Sequence, residues 1–159
     1  MPFLVWVSET AIGKWVSGSQ SLWAYPTILT AHTIGMAVLA GLSSIIALRI
    51  LGVGRRIPLA PLARLYPLLW VGFGLSAVSG VALFIADPVG KSENPMFWSM
   101  LASVTVATGN MWWLRGRVLH NPPAGDVPLK AKIIAGAMLT FWVGAIVSGR
   151  LIAYIGGPE

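Results

Sequence analysis

Residues 22–51 read LWAYPTILTAHTIGMAVLAGLSSIIALRIL, a run in which Arg49 is the one side chain with a fixed charge. About 20 apolar residues of helix cross the hydrocarbon core of a bilayer, so this run is long enough to span it with margin. Ser21 can cap its start, and Pro26 falls early, where a missing backbone N–H costs little. Working outward, three further apolar runs occupy 65–86, 95–114 and 133–155. Pro67 opens the first of these and Asn94-Pro95, a cap followed by a first helical residue, opens the second. Gly156 and Gly157 close the last. The expected fold is all-α: an integral membrane four-helix bundle forming a single domain over 1–159.

Composition agrees with that reading. Of 159 residues, 56% are hydrophobic and only 10% charged, against roughly a quarter charged in soluble domains. The mean hydropathy is +0.77. The net charge of +6 does not indicate nucleic acid, because the basic residues fall in the short segments between apolar runs. Cysteine is absent, which removes disulfides, thiolate metal sites and a cysteine nucleophile. Residues 1–7 bring no basic leader, so the first long run is expected to direct insertion. Before it, Phe3, Val7, Ala11 and Trp15 recur every four residues, predicting a short interfacial helix over about 3–16.

Orientation follows from lysine and arginine. The first connector region holds Arg49, Arg55, Arg56 and Arg64, and the third holds Arg115, Arg117, Lys130 and Lys132. The opposite side has Lys14 and Lys91, offset by Glu9, Asp87, Glu93 and Glu159. Positive connectors stay inside, which predicts both termini outside the cytoplasm. Trp6, Trp15, Trp23, Tyr25, Trp98 and Tyr154 then gather at the outer boundary, and Tyr66, Trp70, Trp112 and Trp113 at the inner. The residues 52–64 read as a glycine- and proline-rich connector and 87–94 as a short polar loop. Small residues at helical spacing (Thr33, Ala37, Gly41; Gly72, Ser76, Gly80; Gly136, Thr140, Gly144, Ser148) mark faces where helices can approach closely.

Two ionisable residues lie inside the apolar runs: His32 and Arg150. Such groups are costly in lipid and mark functional candidates. At about 1.5 Å per residue, His32 sits roughly 10 Å in from Tyr25 and Arg150 roughly 6 Å in from Tyr154, both in the outer half. Tyr25, His32, Met36 and Ser43 share a stripe of the first helix, and Met96 and Met100 begin the third at similar depth. The expectation is an outer-leaflet pocket of imidazole, guanidinium, phenol and thioether groups. A quinone needs only hydrogen bonds from His32, Tyr25 or Tyr154 and a cation such as Arg150. Haem b could take His32 as an axial ligand with Arg150 at a propionate; His120 lies at the far end of the third run, so one haem cannot use both histidines. Copper is the alternative, through His32, Met36 and Met100. A non-catalytic scaffold subunit of a membrane complex is the third reading. No catalytic residue stands out, and no nucleotide-binding, zinc-protease or serine-hydrolase pattern is present.

Residues 31–35 (AHTIG), 48–52 (LRILG) and 149–154 (GRLIAY) resemble a functionally uncharacterised family of small four-helix bacterial inner-membrane proteins. There is a more distant architectural likeness to the copper-resistance D membrane domain. The resemblance implies an inner-membrane location and points to His32, Arg49, Arg150 and Tyr154 as positions to test. The expected role is a redox-associated anchor or electron-transfer component; its expected partners are the lipid bilayer and an extracytoplasmic redox protein or further copies of itself.

Overall fold

The computed structural model describes residues 5, 6, 8–11, 14, 15, 24–120, 123, 126–152 and 154. Its long elements are helices α1 (Ala24–Leu51), α3 (Tyr66–Ala86), α5 (Pro95–Leu114) and α6 (Leu129–Leu151). Short helices α2 (Leu59–Ala63) and α4 (Pro88–Glu93) lie between them, and a π-helical turn, Arg115–Leu119, continues α5. No strand occurs among the described residues. Three segments are long and apolar enough to cross a membrane: Tyr25–Leu51, Leu59–Ala86 and Leu129–Leu151. The run at 95–114 forms its helix with the expected bounds but is more polar, carrying Ser99, Ser103, Thr105, Thr108 and Asn110.

Local chemistry explains most boundaries. α1 stops in a Schellman motif: the Gly52 N–H donates to Arg49 O at 3.2 Å and the Val53 N–H to Leu48 O at 2.9 Å. Gly52 takes φ +107°, a left-handed conformation in which a side chain would be strained. Asn94 caps α5 as expected, its Oδ1 accepting from Met96 N at 2.9 Å. The same side chain donates from Nδ2 to Ile152 O at 3.4 Å, tying the start of α5 to the end of α6.

Several expected boundaries need correction. Residues 52–64 are not simply a connector, because 59–63 form α2 behind Pro58, whose extended conformation (ψ 149°) opens the helix. Residues 87–94 are not a loop: Asp87 Oδ1 accepts from Gly90 N at 3.1 Å and caps α4. α6 begins at Leu129 rather than 133 and ends at Leu151 rather than 155. Pro128 fixes its entry, and Lys130 and Lys132 lie within its first turns instead of in the preceding segment. The amino-terminal expectation falls partly outside the described residues. Where they reach, helical bonds join Glu9 N to Val5 O at 3.1 Å and Lys14 N to Thr10 O at 2.9 Å.

α1 packs along α3 and, more lightly, along α6, while α5 packs along α6. Phe84 of α3 stacks on Phe97 of α5 with centroids 5.5 Å apart. One apolar core joins Leu39, Ile46 and Ile50 of α1, Leu69 of α3, Met111 and Leu114 of α5, and Met138 and Trp142 of α6. The faces turned outward are equally apolar. Val71 and Val78 of α3 are 65% and 74% exposed, and Ile133, Val143 and Ile146 continue the belt on α6. Helices with apolar side chains on both faces are those of a core or a membrane span; here the outer faces are exposed.

The small-residue faces are partly as read. Gly72, Ser76 and Gly80 do turn toward α1, but Thr33, Ala37 and Gly41 are exposed and Gly41 has open space around it. Gly35 takes their place. A Cβ there would lie 2.6 Å from Ser76 N and 2.8 Å from Gly72 O, so the two backbones meet with nothing between them. On α6, Gly144 faces Ser103 and Ser148 faces Ser99 across 3.2 Å, whereas Gly136 has open space and Thr140 is exposed.

Candidate functional site

His32 lies where α1 crosses α3, one turn before the Gly35–Gly72 contact. The close approach of the backbones brings the ring against α3: a Cβ on Gly80 would stand 3.1 Å from His32 Cε1. The ring Nδ1 lies 2.9 Å from Ser76 O. A carbonyl oxygen can only accept, so Nδ1 carries the proton. Its neighbours agree. Ser79 Oγ, 3.3 Å from Nδ1, spends its own proton on Leu75 O at 2.6 Å and is left as an acceptor. Ser76 Oγ completes the pocket at 3.4 Å.

With Nδ1 donating, a neutral ring presents a lone pair at Nε2. Among the described residues every hydrogen bond of His32 runs through Nδ1. Nε2 is not sealed inside the protein either: among the described residues, the buried side-chain nitrogens and oxygens without a partner are Thr108 Oγ1 and Trp142 Nε1. The ring is therefore fixed by one nitrogen and offers the other. Holding a histidine by Nδ1 to a backbone carbonyl is how proteins orient a ligand imidazole.

The other expected site residues are more scattered. Tyr25, two turns before His32 on α1, is exposed. Met36, one turn after it, packs against the core. Met100 turns its sulfur toward α6, 3.3 Å from where a Cβ on Gly149 would be. Arg150 is exposed in the last turn of α6, where the helix dipole favours a cation. Tyr154 lies beyond the helix and is 82% exposed. Among the described residues His32 has no hydrogen bond to Tyr25, Arg150 or Tyr154. The structure thus gathers His32 with Ser76, Ser79 and Gly80. Ser76 and Gly80 were legible as small residues on one helix face; Ser79 was not singled out.

Among the described residues no three histidine, aspartate or glutamate side chains converge. At the start of α3, Tyr66 departs from its expected place among boundary aromatics: it is buried, with the Arg115 guanidinium 4.0 Å over its ring. Lys130 sits 5.5 Å over Trp113. In α4, burial pushes the Lys91 ammonium below its usual range, partly offset by Asp87 at 3.8 Å. No protein family, curated protein or solved structure was found to match the chain.

Proposed function

We propose that the chain is a four-helix integral membrane protein of a bacterial inner membrane, both termini outside the cytoplasm, serving as a redox-associated anchor or electron-transfer component. The exposed apolar belt on α1, α3 and α6 supports insertion, since a soluble protein rarely leaves so much contiguous apolar surface in water. α5 completes the bundle as the fourth span, its serines turned onto α6. The bacterial inner membrane follows from the family resemblance of residues 31–35, 48–52 and 149–154.

The single observation that carries the ligand reading is His32: Nδ1 is held by Ser76 O, and Nε2 has no hydrogen bond among the described residues. That is the acceptor a quinol hydroxyl needs, reached from the extracytoplasmic side or laterally from lipid. Quinone comes first because it requires one histidine and no second protein ligand. Haem b would use the same Nε2 as an axial ligand and need another source for its sixth position. Copper is the weaker fit, because the thioethers of Met36 and Met100 are taken up in packing against the core and against Gly149.

Quinone extracted from the protein purified in detergent, quantified per mole of chain, tests this. Near-stoichiometric quinone that falls about tenfold in His32→Ala is expected, tenfold being a loss of about 1.4 kcal/mol, the size of one hydrogen bond. Equal quinone in both proteins would refute the assignment. A Soret band lost in His32→Ala would move it to haem, and stoichiometric copper lost in the same variant to copper.

A further inference from the structure

At the opposite end of the molecule from His32, the Gly52–Pro58 turn, the start of α2 and the segment leading into α6 enclose a cleft of about 430 Å³. That volume lies within the roughly 300–1,000 Å³ of small-ligand sites. Three cations line it, Arg49, Arg55 and Lys132, against one carboxylate, Asp126, leaving a formal charge of +2 (three minus one).

These cations differ from their neighbours in what they already hold. Arg115 and Lys130 lie over aromatic rings. Asp126 is in no ion pair, for the one ion pair among the described residues is Lys91–Asp87. Arg49 is the fixed wall: its Nε donates to Ile57 O and its Nη2 to Arg55 O at 3.0 Å, folding the turn back onto α1. Arg55 lies against Gly52, where a Cβ would stand 3.2 Å from its Nε and 3.4 Å from its Nη2. The bare glycine makes room for the guanidinium. α6 opens beside the cleft on Pro128 with no side-chain cap, so the positive end of a 23-residue helix adds to the field.

We propose that this cleft binds a phosphate group, with Arg55 and Lys132 as its direct contacts and Arg49 shaping the wall. Forked guanidinium donors and an ammonium match phosphate oxygens, and the turn that presents them is already built. On the membrane reading the cleft lies at the cytoplasmic surface, where an anionic phospholipid headgroup and a free phosphate compound are both within reach. The phosphate chemistry itself does not depend on that reading.

The full chain in detergent is titrated with phosphatidylglycerol under native mass spectrometry and, separately, with inorganic phosphate under calorimetry. The comparison is with Arg55→Gln, Lys132→Gln and the double variant; Arg49 is left intact because it supports the turn. Each single substitution is expected to weaken binding about tenfold and the double variant to abolish it. Binding of phosphatidylglycerol alone assigns a lipid headgroup, and binding of inorganic phosphate assigns a soluble ligand; both uphold the site. Equal binding of either probe to native and double-variant protein, or no binding of either, overturns it. Topology is read separately, so failure of the membrane account and failure of the cleft are distinguishable.

Discussion

Gly35→Leu is expected to cost about 3 kcal/mol or more of stability, the upper end of what overpacking a tight contact does. The obstacle is backbone, not side chain. A Cβ at Gly35 meets Ser76 N at 2.6 Å and Gly72 O at 2.8 Å, and neither can rotate away. α1 and α3 would have to separate, which also pulls the His32 ring from Ser76 O. Gly41→Leu, two turns along the same helix, is the control: nothing lies within 4 Å of its Cβ position, and a change within about 0.5 kcal/mol is expected. Thermal unfolding of both variants in detergent checks this. Equal losses would mean that the α1–α3 crossing is not the close contact described.

Trp142 gives the second large effect. It is 2% exposed in the middle of α6, at the centre of the core. Trp142→Ala empties a space that packed helices cannot fully close and is expected to cost about 3–5 kcal/mol. Its Nε1–H, however, is buried with no hydrogen-bond partner among the described residues. Trp142→Phe keeps most of the ring and removes that orphan donor, so its lost packing is offset by relieved desolvation and a cost of about 1 kcal/mol or less is expected. Denaturant titration followed by helical signal separates the two. A phenylalanine variant as damaged as the alanine one would show that the indole N–H has a partner.

The sequence carried the long helices well because length and apolarity are summed over 20 or more residues, and single exceptions such as Pro26 or Ser76 do not disturb the sum. Short elements depend on single residues. α4 exists because Asp87 caps it, and α2 because Pro58 sets its entry; polar composition had concealed the first and glycine and proline content the second. The helix face was misread on α1 for a related reason. Thr33, Ala37 and Gly41 have the right spacing, but Gly35 has the right direction, and in a helix apolar on every side the pattern of hydropathy does not say which face is buried.

The candidate site was legible to a similar depth. His32 stood out because an imidazole is rare in an apolar run, and that signal located it. Its partners on α3 lie 44 residues or more away in sequence, and only the crossing of two helices at a glycine pair brings them together. Arg150 and Tyr154 share its expected layer without sharing its hydrogen bonds. The cleft is not legible in the sequence, because by position alone all the connector cations look alike. What separates Arg55 and Lys132 from Arg115 and Lys130 is which of them already lies over an aromatic ring.

The proposed redox function rests on the membrane arrangement, and the chain's lack of cysteine makes that arrangement directly measurable. Single cysteines at Val53, Val78, Glu93 and Tyr154, each exposed on the protein surface, are treated in intact cells with a membrane-impermeant maleimide. Glu93→Cys and Tyr154→Cys should be labelled from outside, Val53→Cys only after the membrane is opened, and Val78→Cys not at all while lipid covers it. Labelling of Val53→Cys in intact cells, or of Val78→Cys as readily as Glu93→Cys, would contradict the account.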